Sequence, residues 1–256
     1  MTGRVAYSKS GAFATVLFDR PQARNAMTWD MYEQLGAACR SIASDDDVRV
    51  AVFRGAGGNF AAGTDIAQFA EFKGADSGIV YERQTESSIE LIERIPKPVI
   101  AMVEGNCVGG GLMIAAACDL RIATPDARFG VPVARTLGNC LSPFNVSRLI
   151  AHFGPARTKR MLLFSELVTA DEARECGFVA RTALAPELEN IANELCVRVA
   201  AQAPLTMAAA KEMMRRIGIA NVPECDDLIR QVYGSDDFRE GVAAFVAKRQ
   251  ARWRGK

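Results

Sequence analysis

Asn59-Phe60-Ala61-Ala62-Gly63-Thr64-Asp65-Ile66 and, further along the chain, Glu104-Gly105-Asn106-Cys107-Val108-Gly109-Gly110-Gly111-Leu112 are two loops of one physical type. Each follows a short apolar run with strand character and leads into a helical stretch. Helix N-termini leave backbone N–H groups without partners and carry the positive end of the helix dipole. Small residues let a ligand oxygen approach such a backbone closely. Two starts of this kind facing one cleft would hold a single carbonyl oxygen and stabilise the negative charge it gains on enolate formation. Glycine after a strand also serves simply to make a turn, so the loops alone leave both readings open. A phosphate loop is excluded: Gly58-x-x-x-x-Gly63 has the right glycine spacing, but Thr64-Asp65 stands where Lys-Ser/Thr is required. The dinucleotide pattern G-x-G-x-x-G is absent from both loops.

Outward from these loops, the chain alternates strands and helices. Residues 4–8 and 13–18 read as two short strands around Ser10-Gly11, and Asp19 to Ala26 as a loop. Thr28 caps an expected helix to about Ala43, with Met31, Leu35, Cys39 and Ile42 at helical spacing. A strand over 48–54, a helix over 79–95 ended by Pro96 and Pro98, the apolar strand Val99–Val103, a short helix over 112–117 and a strand over 120–123 follow. An all-apolar short run suits a strand covered on both faces, as in parallel sheets, so the expected class is α/β. Beyond about residue 142 the signal is helical, over 157–164, 170–177, 186–202, 204–217 and 236–249. The expected organisation is an α/β core over 1–190 and a helical C-terminal module over 191–256.

The chain has 256 residues, enough for a full core without staples, since area scaling leaves about 73% of the unfolded surface buried at this size. Lys plus Arg number 31 and Asp plus Glu 30, so the overall basic surplus a sequence-independent nucleic-acid binder needs is missing. The run Lys248 to Lys256 is basic, which suits a solvated helix end or an anionic ligand. Seven cysteines without a C-x-x-C pair suggest neither a disulfide framework nor a zinc site, and the one histidine, His152, leaves no His-rich metal site. Reduced thiols, no signal-peptide core at the N-terminus and no unbroken apolar span lead to the expectation of a cytoplasmic protein with no membrane partner.

Several motifs together carry a resemblance. Asn25-Ala26-Met27 after a proline loop, Phe60-Ala61-Ala62-Gly63-Thr64-Asp65, Gly109-Gly110-Gly111 and Phe129-Gly130-Val131-Pro132 come in the order and spacing of the enoyl-CoA hydratase/isomerase (crotonase) superfamily. So do Glu172-Ala173-x-x-x-Gly177-Phe178-Val179 and Asp237-Phe238-Arg239-Glu240-Gly241-x-x-Ala244-Phe245-x-x-Lys248-Arg249, so the match spans essentially the whole chain. The resemblance implies a ββα spiral core with a C-terminal helical trimerisation module, and a homotrimer or dimer of trimers. It implies an acyl-CoA thioester as substrate, with no metal and no separate cofactor. The family's oxyanion-binding amides fall on Thr64 and Gly110. Its CoA-contacting loop falls on Arg24, Ala26 and Met27; the strip Ala61, Ala62, Gly63, Asp65, Ile66 and Ala67, with Gly109, lines the pantetheine and thioester; Lys248 reaches a CoA phosphate.

The sequence departs from the family where hydratases carry two catalytic glutamates. The first position, three residues after the middle glycine of the Gly-Gly-Gly run, is Met113; the second, after the proline of Phe-Gly-x-Pro, is Val133. Neither side chain transfers a proton, and each acid–base group is typically worth 10²–10⁴-fold, so ordinary hydration is in doubt. The segment Ala134 to Ser142 resembles the corresponding loop of 4-chlorobenzoyl-CoA dehalogenases, with Cys140 in the place of the nucleophilic aspartate. Cys140 is thus a candidate nucleophile, with Arg135 to lower its pKa or to bind an acyl-chain carboxylate; a small buried thiol and a structural ion pair are the plain alternatives. Asp65 reads as a base or a helix cap, Glu86 and Glu90 as acyl-pocket groups or a solvated face, and His152 as structural. The expected activity is acyl-CoA processing in a two-amide oxyanion hole, of lyase or isomerase class as in fatty acid metabolism. Hydration, decarboxylation, hydrolysis or displacement, and non-catalytic acyl-CoA binding all remain open at this level.

Overall fold

The computed structural model describes residues 3–220 and 222–254. The expected α/β class holds, as does a helical C-terminal region. Strands β1 (Arg4–Ser10) and β2 (Phe13–Asp19) form a hairpin, and α1 (Trp29–Ser44) returns the chain to β3 (Val50–Gly55). A 3₁₀ turn over Ile66–Glu71 and α2 (Ala75–Glu93) lead to β4 (Val99–Val103). Then come β5 (Asn106–Val108), α3 (Gly110–Ala117), β6 (Leu120–Ala123), β7 (Arg128–Gly130), α4 (Val133–Thr136) and α5 (Pro143–Leu163). After β8 (Val168–Thr169), α6 (Ala170–Glu175) and β9 (Arg181–Thr182), the chain ends in α7 (Ala185–Ala200), α8 (Pro204–Ile219), α9 (Asp226–Tyr233) and α10 (Asp236–Val246).

Two sheets result. A six-stranded sheet runs in the order β1-β2-β3-β4-β6-β9, parallel except for the first pair, and a three-stranded sheet runs β5-β7-β8. All five residues of β4 are buried, as expected for a strand covered on both faces. Helix α1 starts where Thr28 Oγ1 accepts from the Met31 amide at 3.2 Å, and its Met31, Leu35, Cys39 and Ile42 are buried. The residue 190/191 position falls inside α7, whose Leu188, Ala192, Leu195 and Cys196 pack with Val50, Ile100 and Ile122 on the main sheet.

Several elements differ from the expected pattern. Helix α2 begins at Ala75 rather than at 79, and α5 begins at Pro143 behind the Ser142 cap, which accepts from the Asn145 amide at 3.2 Å. Gly154, at φ 72°, followed by Pro155, divides α5 into two arms, and the expected helix over 157–164 is the second of them. Helix α9 and the short strands β5, β7, β8 and β9 carry too few residues for a periodicity to register.

Candidate functional site

Three backbone segments lie side by side and build the site. Met27 pairs with Thr64 through Met27 N–H to Gly63 O and Asp65 N–H to Met27 O, both 2.8 Å. Ala61 pairs with Cys107 through Ala61 N–H to Asn106 O and Val108 N–H to Ala61 O, both 3.1 Å. Asn25, fully buried at φ 58°, ties the first segment down: its Oδ1 accepts from Arg20 N–H at 2.9 Å, and its Nδ2 donates to Ala56 O and Asn59 O at 2.8 and 2.7 Å. Asn59 Oδ1 in turn accepts from the backbone and side chain of Asn106 at 3.1 and 2.8 Å.

This ladder sets Thr64 beside Gly110. The bonds to Met27 use the atoms flanking Thr64, which turns the Thr64 N–H to the side away from Met27. Gly110 is the first residue of α3, where N–H groups have no intrahelical partner. Among the described residues neither amide has a backbone carbonyl partner. The two residues touch: a Cβ built on Gly110 would stand 3.3 Å from Thr64 Oγ1 and would collide with the Tyr32 hydroxyl. A Cβ on Gly111 would strike the Ala61 carbonyl, so glycine there allows α3 to abut the 61–65 segment.

Thr64 and Gly110 both line a cleft of about 810 Å³, within the range of small-molecule sites. Arg24, Ala26, Ala62, Gly63, Thr64, Asp65, Ile66, Gly109, Gly110, Val133 and Lys248 all line it. The remaining candidates do not. Met27, Ala61 and Met113 are buried in the core cluster, and Ala67 is exposed. Arg135 is exposed on α4, while Pro132, Val133, Thr136 and Leu137 form the cleft wall around it. Cys140 packs against the cluster containing Phe69, Tyr81 and Tyr233, and burial, with the nearby Glu82 charge, pushes its thiol up to about 12. Of the basic run, Gly255 and Lys256 lie outside the described residues.

The acidic candidates are tied into ion pairs. Asp65 Oδ2 meets an Arg20 guanidinium nitrogen at 2.8 Å, and Asp65 Oδ1 accepts from the Ala67 amide at 3.2 Å, capping the 3₁₀ turn. Glu86 and Glu93 share Arg148, at 2.5 and 2.6 Å, and Glu90 pairs with Arg94 at 2.6 Å. His152 is held by the Ala116 carbonyl at 3.0 Å, and burial lowers its pKa to about 4, which keeps the ring neutral.

Sequence reasoning missed the polar groups that α1, α2 and α9 bring to the acyl end. Tyr32 OH lies 2.8 Å from Thr64 Oγ1, and Thr64 Oγ1 lies 3.0 Å from Tyr81 OH, a cleft-lining group. Burial pushes the Tyr32 phenol up to about 12 and Tyr81 well above the ordinary tyrosine value. Behind them, Glu82 is 3% exposed, accepting from the Tyr233 hydroxyl at 2.6 Å and the Ser142 amide at 2.7 Å. Burial raises its carboxyl to about 7. Asn139, on the cleft wall, donates to the Tyr233 oxygen at 3.2 Å. At helical spacing these tyrosines read as core, and only the fold turns their hydroxyls toward one place.

A fold with paired strand-to-helix starts beside one cleft matches a known class. The family model for enoyl-CoA hydratase/isomerase matches residues 8–256. The chain is 30% identical over 249 residues to a probable enoyl-CoA hydratase of Bacillus subtilis, covering 95% of this chain and 96% of the relative. It is 32% identical over 255 residues to carnitinyl-CoA dehydratase of Proteus mirabilis, covering 96% of each. Among solved structures, a methylmalonyl-CoA decarboxylase in complex with 2-nitronate-propionyl-CoA superposes with a TM-score of 0.90 at 25% identity, covering 98% of each chain. The chain belongs to the enoyl-CoA hydratase/isomerase family, and is an acyl-CoA thioester-processing enzyme of the crotonase type. Among the described residues no helix is long and apolar enough to cross a membrane.

Proposed function

We propose that the protein decarboxylates a malonyl-type, β-carboxylated acyl-CoA by way of a thioester enolate. One observation carries the reading: among the described residues the only carboxylate on the cleft wall is Asp65, and it is bound to Arg20. A hydratase needs a base to activate water, and an isomerase needs one to take an α-proton. Decarboxylation needs neither, because the electrons of the breaking C–C bond enter the thioester directly. The Thr64 and Gly110 amides then receive the charge on the carbonyl oxygen, a role typically worth 10²–10³-fold per donor.

The distribution of charge along the cleft supports the same reading. Its cations, Arg20, Arg24 and Lys248, come from the 20–26 loop and the end of α10, where CoA phosphates would lie. The acyl end is walled by Ile66, Phe69, Val133, Leu137 and Leu141. Among the described residues the cations of the cleft lie away from that end, so a substrate carboxylate there meets apolar side chains and the neutral Tyr81, Thr136 and Asn139, and a charge without a counter-ion there is disfavoured. Loss as neutral CO₂ relieves that. The proposal assigns the CoA thioester as substrate and no separate cofactor. It retains a trimer or dimer of trimers, supported by the exposed Leu205, Met213, Met214 and Ile217 on α8, and the reducing cytoplasm, supported by cysteines that are all free. The test is a panel of acyl-, enoyl- and β-carboxyacyl-CoA thioesters followed by mass spectrometry: loss of CO₂ from the last group alone is expected. Hydration of enoyl-CoA without decarboxylation would overturn the reading, and binding without any conversion would leave a carrier.

A further inference from the structure

We infer that the hydroxyl of Tyr81 delivers the proton that converts the enolate to the acyl-CoA product. The inference rests on the decarboxylation reading and adds the group that ends the reaction. Tyr81 lines the cleft, and its oxygen is 3.0 Å from Thr64 Oγ1, on the residue whose amide the proposed function assigns to the thioester oxygen. Its ring is wedged among Trp29, Phe69 and Tyr233, with centroids 5.5, 4.9 and 6.1 Å away, so the hydroxyl has one place to point.

Proton accounting gives the hydroxyl chain a direction. Tyr32 is buried, and Thr64 is the hydrogen-bond partner of its hydroxyl among the described residues. A buried phenol keeps its proton in a hydrogen bond, so Tyr32 donates to Thr64 Oγ1. Thr64 then donates onward to Tyr81. With Thr64 directed at its oxygen, Tyr81 has its own proton left for the cleft. The Thr64 hydroxyl also stabilises the phenolate formed when that proton leaves. Burial keeps the resting phenol protonated, which suits a donor and rules it out as a base at neutral pH.

The step balances. The bond between the α-carbon and the carboxylate breaks and CO₂ leaves. Its electron pair forms the enolate, with the charge on the thioester oxygen. The α-carbon takes the Tyr81 proton, and solvent water returns one to the phenolate. The net reaction consumes one proton and releases CO₂ and the shortened acyl-CoA.

The test is Tyr81→Phe, which keeps the ring, assayed on an α-alkyl malonyl-CoA in deuterated water. Wild type is expected to place deuterium on one face of the α-carbon. The variant is expected to lose about 10²–10⁴-fold in kcat, to hold KM nearly constant and to deuterate both faces. An unchanged melting temperature and unchanged binding of a non-reacting CoA thioester show that fold and cleft are intact. Full kcat with single-face deuteration in the variant would overturn the assignment while leaving decarboxylation standing. No CO₂ from wild type with any such thioester would remove the decarboxylation reading, and the inference with it.

Discussion

Tyr32 and Gly110 come from different helices, and the Tyr32 hydroxyl occupies the space a side chain on Gly110 would need. The same oxygen lies 2.8 Å from Thr64 Oγ1. One phenol from α1 therefore touches both residues that supply the paired amides, and sets how closely they approach.

Gly110→Ala forces its Cβ against that phenol. Overpacking of this kind typically destabilises by about 1–3 kcal/mol, and displacing one amide of the pair is expected to lower turnover on the order of 10²–10³-fold. The double variant Gly110→Ala/Tyr32→Phe removes the oxygen in the way, so part of the lost stability is expected to return. Urea titrations of both single variants and the double variant measure the coupling; strictly additive effects would mean that the two residues do not meet.

Val133 stands on the cleft wall, and the sequence resemblance aligns it with a hydratase glutamate. Val133→Glu is expected to introduce slow hydration of crotonyl-CoA, followed by loss of the enoyl absorbance. An inert variant that still binds crotonyl-CoA would show that the wall differs by more than one carboxylate.

Glu82 gives the fold a pH dependence whose sign is fixed. Its carboxyl titrates near 4.5 when exposed and at about 7 when buried. Between these values the folded state holds more protons than the unfolded one, so stability falls as pH rises through that window. At 1.36 kcal/mol per unit the loss is about 3 kcal/mol by pH 8. Thermal melts from pH 5 to 8 are expected to decline for wild type and to stay flatter for Glu82→Gln. Parallel curves would show that Glu82 has no part in the decline.

Cys140 is a poor nucleophile where it sits, its thiol held near 12 away from the cleft wall. Cys140→Ser is expected to keep turnover close to wild type. Abolished turnover in a folded variant would return a thiol displacement mechanism to consideration.

Helix α8 exposes Leu205, Met213, Met214 and Ile217, from 63% to 84% accessible. Sedimentation equilibrium is expected to give three or six copies of the 27.7 kDa chain, and Met214→Glu with Ile217→Glu to shift the mass downward. A wild-type monomer would contradict the trimer.

Local chemistry announced much of this. The Thr28 cap and the buried β4 run act within a few residues of themselves, and each produced the element expected of it, while the second glycine segment also holds the short strand β5. Thr64 and Gly110 could be named as candidates for the same reason, since both belong to local turns. What escaped were long-range meetings. Tyr32, Tyr81 and Tyr233 sit on three helices at positions any core aromatic would occupy, and no local spacing reveals that two of their hydroxyls converge on Thr64. The exposure of Arg135 likewise follows from how α4 lies against the cleft, which a single turn of sequence does not encode.

The three-segment ladder has a consequence for how such a protein changes over time. The groups proposed to polarise the thioester are main-chain atoms on segments held by main-chain bonds and by Asn25, so a side-chain replacement on the opposite wall leaves those bonds in place. Replacements on the cleft wall, as at Val133, can change the chemistry while the scaffold stays in place. Divergence is then a matter of which wall residues next meet the electron-rich carbon, and here α2 offers a phenol.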